Sequence, residues 1–150
     1  KTAGMTIFSN AHVALVTAAQ RHQPAPRGHT RILELMRAGV PVATAQDDID
    51  NPYYPFGRND LLEVAQYMAH LAPLAWGAQV SQTLEMVTNI PAKAIGLEGY
   101  GLGIGCKANL LVLDAPNWFE AVKTQCEKTF VIAQGQLVSS SQRSTTLNLP

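Results

Sequence analysis

The run Val-Pro-Val-Ala-Thr-Ala, from Val40 to Ala45, constrains the fold of this chain more than any other segment. It is short and apolar throughout, as expected for a parallel strand that is buried on both faces of a sheet. The segment before it, residues 31–39, predicts a helix that Thr30 caps and Gly39 ends. A buried strand that directly follows a helix indicates an α/β fold.

Strands and helices alternate along the first two thirds of the chain. Residues 5–11 predict a strand, and residues 20–29, with two prolines and a glycine, predict a loop. Further helices are expected after Asn59, the predicted cap, and from Ser81, the latter broken near Pro91. This βαβα order favours a parallel sheet. The predicted apolar helix faces hold Ile32, Leu35 and Met36 in one helix, and Leu61, Leu62, Ala65, Met68 and Ala69 in the next.

The character of the chain changes after a glycine-rich turn that begins at Gly99. Residues 108–115 predict a strand, residues 116–125 a short helix, and residues 128–140 two strands joined around Gly135. The sequence therefore predicts two parts, an α/β part over residues 1–98 and a segment of a small β-domain over residues 99–150.

Composition and charge exclude several classes of protein. The 150 residues carry eleven basic and eleven acidic side chains, so the net charge favours neither nucleic acid nor a membrane surface as a partner. Apolar residues make up 47%, an ordinary share for a protein with a buried core. No apolar run approaches the roughly 18 residues of a membrane helix, and no signal peptide is visible. We expect a cytoplasmic protein.

Several familiar site motifs are absent from the sequence. The glycines of residues 99–105 do not form a dinucleotide-binding loop, because a strand and not a helix follows them. Cys106 and Cys126 form no C-x-x-C pair, and no G-x-S-x-G motif of a serine hydrolase occurs. The histidines contain no H-x-H and no pair four apart, so they assemble no zinc motif by themselves. They are His12, His22, His29 and His70.

The segment from Gln46 to Gly57, "QDDIDNPYYPFG", places three carboxylates within four residues directly after the predicted strand. Like charges this close repel each other unless a cation or protons neutralise them. An ordinary solvated loop is one interpretation. A site is the other, because functional groups of parallel α/β folds gather at the C-terminal ends of strands. Asp47 could there ligate a metal or take a proton from water, and the tyrosines could form a flat wall for a ring-shaped substrate.

Residues 28–65, "GHTRILELMRAGVPVATAQDDIDNPYYPFGRNDLLEVA", resemble the end of the barrel in the cytosine deaminase branch of the amidohydrolase superfamily. Residues 99–115, "GYGLGIGCKANLLVLDA", are similar to the segment that leads these enzymes into their small β-domain. The resemblance extends from about Ile7 to Val138. It implies the C-terminal part of a (β/α)8 TIM-type barrel, followed by part of a small β-sandwich domain.

The resemblance also implies a mechanism and roles for three residues. In this family a divalent metal, zinc or iron, activates a water that attacks the ring carbon bearing an amino group. Asp47 matches the last-strand aspartate, which binds the metal or takes the proton of that water. Asp48 matches a second acid beside the substrate, and Tyr53 matches an aromatic residue that packs on the ring. Gln46 departs from the pattern, since cytosine deaminases often have histidine there.

The resemblance leaves the substrate open. Deamination of a pyrimidine such as cytosine is one activity it implies, and removal of an amine from an s-triazine such as an N-alkyl ammelide is another, because "PFGRND" resembles both branches. A non-catalytic relative or fragment is the alternative to an enzyme. The metal-binding histidines are expected on strands before Lys1, so the expected partners are a small heterocyclic substrate and the N-terminal remainder of the same enzyme. A homo-oligomer is also expected.

Overall fold

The predicted parallel strand is present in the computed structural model, and it pairs with the strand near the start of the chain. The strand β1 (Ile7–Phe8) runs parallel to β2 (Val42–Ala43). Both residues of β2 are buried, as expected for a strand covered on two faces. The Ser9 N–H donates to the Ala43 carbonyl at 2.9 Å and so extends the ladder past the paired residues. The prediction of a buried parallel strand is confirmed.

The structure describes residues 3–18 and 28–148. The chain divides into two units, Lys1–Leu97 and Glu98–Pro150. The predicted division between residues 98 and 99 lies one residue from this boundary. In the described ranges, no helix has the length and hydropathy needed to span a bilayer.

The first unit contains a helix that the sequence did not predict. Residues 5–11 were expected to form one strand, but Ala11 already begins a helix, so that prediction is wrong at its C-terminal end. The helix is almost entirely apolar and therefore lacks the polar face by which periodicity indicates a helix. Most of the loop predicted at residues 20–29 lies outside the described residues. The helices described in this unit are α1 (Ala11–Ala18), α2 (Ile32–Arg37), α3 (Leu61–Leu71), a 3-10 helix (Gly77–Val80), α4 (Ser81–Val87) and α5 (Asn89–Ala94).

Two predicted helix caps are wrong by one residue. The residue before α2 is Arg31 and not Thr30, and its side chain makes no capping hydrogen bond. The residue before α3 is Asp60 and not Asn59, and its carboxylate accepts the Leu62 N–H at 3.0 Å. Both Asp and Asn are good caps, so the residue types alone could not decide between these neighbours.

The predicted break near Pro91 is confirmed at Thr88, between α4 and α5. Pro91 has no N–H and cannot donate to the Val87 carbonyl four residues earlier. The carbonyl of Met86 accepts a hydrogen bond from the Thr44 N–H at 2.9 Å. A helix carbonyl at the break is thereby satisfied by the chain that continues β2.

The core of the first unit lies between these helices and β2. The predicted apolar face of α2 packs into this core. In α3, Leu61 is exposed, so the prediction that it belongs to the apolar face is wrong. Leu61 is the first residue of its helix, and the other predicted positions of that face are buried. The buried members of the core cluster are Ala11, Ile32, Val42, Met68, Ala72, Leu74 and Met86, with Leu33, Leu35, Met36, Tyr67, Leu71 and Ile90 packed against them.

The second unit is an antiparallel sheet with one helix, as the sequence predicted. The strands follow the order β3-β4-β5. Gln134 and Gly135 connect β4 to β5, both with positive φ, which is typical of the hairpin turn that matches strand twist. Asn117 caps the helix by accepting the Glu120 N–H at 2.9 Å. The elements are β3 (Leu110–Leu113), α6 (Trp118–Thr124), β4 (Lys128–Ala133) and β5 (Gln136–Ser140).

The strands of the described residues form a two-stranded parallel sheet and a three-stranded antiparallel sheet. Neither sheet closes on itself. The fold is thus a mixed α/β arrangement, and the described part of the chain does not by itself make a barrel.

Candidate functional site

The acidic segment forms a loop after β2, residues 47–57, which we call the acidic loop. Asp47 begins it and is exposed, with a φ of +65°. Few residues other than glycine adopt this left-handed conformation, although aspartate tolerates it better than most. The structure places the carboxylate predicted to be catalytic where solvent reaches it, at the end of a buried parallel strand.

Asn51 holds the second acidic residue of the loop. Its side-chain N–H donates to the Asp48 carboxylate, and its side-chain oxygen accepts the N–H groups of Tyr53 at 2.9 Å and Tyr54 at 3.1 Å. One amide thus binds a carboxylate and two backbone donors together. No motif in the sequence indicates this role for Asn51, although the Asn-Pro dipeptide that it begins is a turn signal.

Gly57 closes the acidic loop against its own start. A Cβ atom at this position would lie 2.5 Å from the Asp48 carbonyl oxygen and 2.7 Å from the Ile49 Cα. Real side chains do not tolerate such approaches to backbone atoms. Since the φ of Gly57 is not in the left-handed region, glycine is required here for space and not for conformation. The loop is therefore a closed one whose two ends touch.

The aromatic residues of the acidic loop point in different directions. Tyr53 and Phe56 are 67% and 70% exposed, whereas Tyr54 is 3% exposed. The Tyr53 ring is therefore accessible to a ligand, and its predicted role in binding a substrate stays a prediction. Tyr54 is an inward anchor, and its ring meets the ring of His12 edge-on at 5.2 Å between centroids. The sequence gave no reason to separate these two neighbouring tyrosines by burial.

Buried polar side chains follow each of the two parallel strands in the sequence. His12, Thr44 and Gln46 are 0%, 2% and 5% exposed. Among the described residues, both ring nitrogens of His12, the Thr44 hydroxyl and both amide atoms of Gln46 have no hydrogen-bond partner. Each such group costs about 1–3 kcal/mol of free energy of unfolding. Asn10 is better placed, because its side-chain oxygen accepts the Ala45 N–H at 3.2 Å.

Burial shifts two pKa values beside the acidic loop. It lowers the pKa of His12 below the ordinary 6.5, because desolvation disfavours the charged imidazolium. It raises the pKa of Tyr54 to about 12, and Tyr67 and Glu63 add to this rise. Both rings are therefore neutral at pH 7.

The described residues supply part of a metal site at most. In residues 3–18 and 28–148, no group of three or more His, Cys, Asp or Glu side chains could hold a metal ion. The exposed carboxylate of Asp47 suits zinc or iron as one ligand, but a stable zinc site needs three or four protein ligands. His70 is exposed and its Nδ1 pairs with the Gln66 carbonyl at 2.7 Å, and His22 lies outside the described residues. A complete site requires ligands from outside the described ranges.

An exposed carboxylate at the end of a buried parallel strand is the arrangement in which α/β folds commonly carry functional groups. The amidohydrolase family matches residues 2–139 of this chain, and the chain belongs to that family. The resemblance drawn from the acidic segment and the glycine-rich segment is thereby confirmed.

Three individual proteins of this kind resemble the chain. The structure of 5-methylcytosine deaminase from Klebsiella pneumoniae liganded with 5-fluorocytosine is 32% identical, with a TM-score of 0.87 over 97% of this chain and 36% of that one. The pterin deaminase of Rhizobium rhizogenes (strain K84 / ATCC BAA-868) is 33% identical over 123 residues, 79% of this chain and 27% of the relative. The N-isopropylammelide isopropyl amidohydrolase of Pseudomonas sp. (strain ADP) is 29% identical over 110 residues, 71% of this chain and 27% of the relative. The chain thus spans about a quarter of the length of these curated relatives.

Proposed function

We propose that this chain carries the last catalytic carboxylate, Asp47, of a metal-dependent hydrolytic deaminase. The observation that carries the proposal is the placement of an exposed carboxylate at the end of a buried parallel strand, in a chain of the amidohydrolase family. Functional groups collect at this end of the strands in α/β enzymes.

We also propose a specific fold for each of the two parts of the chain. Residues 1–98 are assigned to the last strands and helices of a (β/α)8 barrel, and residues 99–150 to part of a small β-sandwich domain. The similarity of nearly the whole chain to a solved deaminase supports this assignment. The partner that completes the barrel is then the N-terminal remainder of the same enzyme, which the count of metal ligands also favours. Homo-oligomerisation stays a prediction.

The substrate we propose is a planar nitrogen heterocycle with an exocyclic amino group, such as cytosine. Two of the relatives are deaminases and one is an amidohydrolase. Each of the three is named after a nitrogen heterocycle of this kind. The exposed Tyr53 ring supports the choice, because a flat aromatic surface suits a flat heterocycle.

Hydrolytic deamination breaks the bond between a ring carbon and its amino nitrogen and forms a bond from that carbon to the oxygen of water. One water proton must reach the nitrogen, which leaves as ammonia. We assign Asp47 to accept and hold that proton, a task that its exposed carboxylate can perform. Asp48, fixed by Asn51, is assigned to the polar edge of the substrate ring. A zinc or iron ion, when bound, lowers the pKa of the attacking water.

The test replaces Asp47 by Asn in the complete protein and measures ammonia release from cytosine together with zinc and iron content. We expect kcat to fall by at least about a hundredfold, the lower end for a lost proton-transfer group. Asp50→Asn is the matched control, because Asp50 is exposed in the same loop and also has a positive φ. That variant is expected to stay within about threefold of the wild type. A wild-type kcat in Asp47→Asn would refute the assignment.

The second candidate is an amidohydrolase that removes an N-alkyl amine from an s-triazine. The similarity to the N-isopropylammelide enzyme favours it. Assaying isopropylamine release from N-isopropylammelide beside ammonia release from cytosine decides between the two. A metal-free, inactive complete protein would instead indicate a non-catalytic relative.

A further inference from the structure

Three aromatic rings connect the acidic loop to two helices of the first unit. His12 lies in α1, Tyr54 in the acidic loop and Tyr67 in α3. The ring centroids of His12 and Tyr67 are 4.3 Å apart, with 44° between the ring planes. Those of His12 and Tyr54 are 5.2 Å apart, with 78° between the planes. Both arrangements are close to the spacings at which aromatic pairs attract each other.

Tyr54 is the anchor of the acidic loop. Within the described residues 47–57, it is the one aromatic side chain that is buried. Its N–H and carbonyl both pair with the backbone of Asn51, at 3.2 Å each. Asn51 in turn holds Asp48. The position of the Tyr54 ring is thereby linked, through two short steps, to the carboxylate of Asp48.

The contribution of His12 to this arrangement is contact between rings. Its side chain is fully buried, and among the described residues neither ring nitrogen has a hydrogen-bond partner. A ring that is buried without polar partners acts through its shape and surface. A phenyl ring of similar size at the same position should therefore keep the effect.

We propose that His12 is a positioning residue, which packs against Tyr54 and Tyr67 and so fixes the acidic loop with Asp48 and Tyr53 in the place where they meet a heterocyclic substrate. The kinetic part of this inference rests on the function proposed above. Its structural part, the order of the loop, does not.

The test compares His12→Ala with His12→Phe in the complete protein. Hydrogen exchange at the Tyr54 N–H reports the order of the loop, because that group donates to Asn51. For His12→Ala we expect at least tenfold faster exchange and a fall in kcat/KM of about 10- to 100-fold, as for a reacting group displaced by about 1 Å. For His12→Phe both quantities are expected within about threefold of the wild type.

A general loss of stability is controlled by Leu74→Ala, which truncates another fully buried side chain of the same unit. At a temperature where it is folded, this variant should keep wild-type exchange at Tyr54 and wild-type kcat/KM. Should His12→Ala not fold, Tyr54→Leu makes the same test from the loop side, with the same loss expected.

Two outcomes would overturn the inference. One is unchanged exchange at Tyr54 and unchanged kcat/KM when the His12 ring is removed. The other is a His12→Phe variant as impaired as His12→Ala, which would assign the role to the ring nitrogens. If the wild type releases no ammonia from any tested heterocycle, the proposed function fails, while the exchange data still decide whether His12 orders the loop.

Discussion

Replacing Gly57 by Ala tests whether the acidic loop must be closed to work. The added Cβ would lie 2.5 Å from the Asp48 carbonyl oxygen, where ordinary contacts begin at 3.4 Å. One end of the loop must therefore move by about 0.9 Å relative to the other end. Because the obstructing atoms belong to the backbone, no side-chain rotation can relieve the contact. Overpacking of this kind costs about 1–3 kcal/mol of free energy of unfolding.

The same change should also lower kcat/KM, even at a temperature where the variant is fully folded. Asp48 is the next residue in the chain after Asp47. A backbone shift of nearly 1 Å at Asp48 should therefore also move the proposed catalytic carboxylate. Misplacement by about 1 Å can lower a rate by about a hundredfold. We expect Gly57→Ala to reduce kcat/KM for ammonia release by about 10- to 100-fold in the complete protein, at a temperature where it is fully folded.

Gly28→Ala is the matched control for this experiment. It adds the same methyl group in the same unit, but no atom of the described residues lies within 4 Å of the added Cβ, and its φ is not left-handed. Its free energy of unfolding should stay within about 0.5 kcal/mol of the wild type, as for other surface substitutions. If urea unfolding and kcat/KM of Gly57→Ala both match those of Gly28→Ala, the acidic loop does not need the close contact at Gly57.

Three further predictions concern substrate contact, pH and metal. Tyr53→Ala should raise KM and leave kcat within about threefold, because ring contact exists in ground and transition states alike; a collapse of kcat at constant KM would contradict this. The lowered pKa of His12 means that the unfolded chain binds a proton more readily than the folded one, so the free energy of unfolding should fall as pH drops below about 6.5. Urea unfolding at several pH values measures this, and His12→Phe should remove that part of the decrease. The 150 residues purified alone should retain no stoichiometric zinc or iron by elemental analysis, since Asp47 is one ligand of the several required; tight metal retention with turnover would show a complete small enzyme.

Local sequence signals were sufficient for the strands that end in clear turns. The apolar run at residues 40–45 follows a glycine and precedes charge, and its parallel pairing was predicted from that context. The hairpin of β4 and β5 was predicted because two β-forming runs flank a glycine. Helix α1 was not predicted, because "AHVALVTA" is apolar on nearly every side and shows no period. Its helical state depends on the neighbours that bury Ala11 and His12, which local sequence does not reveal.

The candidate site was predictable in position but not in its internal support. Asp47 was identified because it follows a strand, and the strand end could be read from hydrophobicity. Asn51 and Tyr54 were not identified, because their roles depend on how the loop turns back on itself. Two adjacent tyrosines with a proline on each side look alike in sequence, and the turn geometry alone decides which ring is buried.

The hydrogen bond from the Thr44 N–H to the Met86 carbonyl joins the chain leading into the acidic loop to the point where α4 stops. It links residues more than 40 positions apart in sequence, and because both are buried, its loss would leave a backbone N–H and a carbonyl without a partner. A fluctuation that unwinds the last turn of α4 would break this hydrogen bond and free the Thr44 N–H next to β2. We therefore expect unwinding at the C-terminal end of α4 to disturb the segment that carries Asp47, which lies three residues after Thr44.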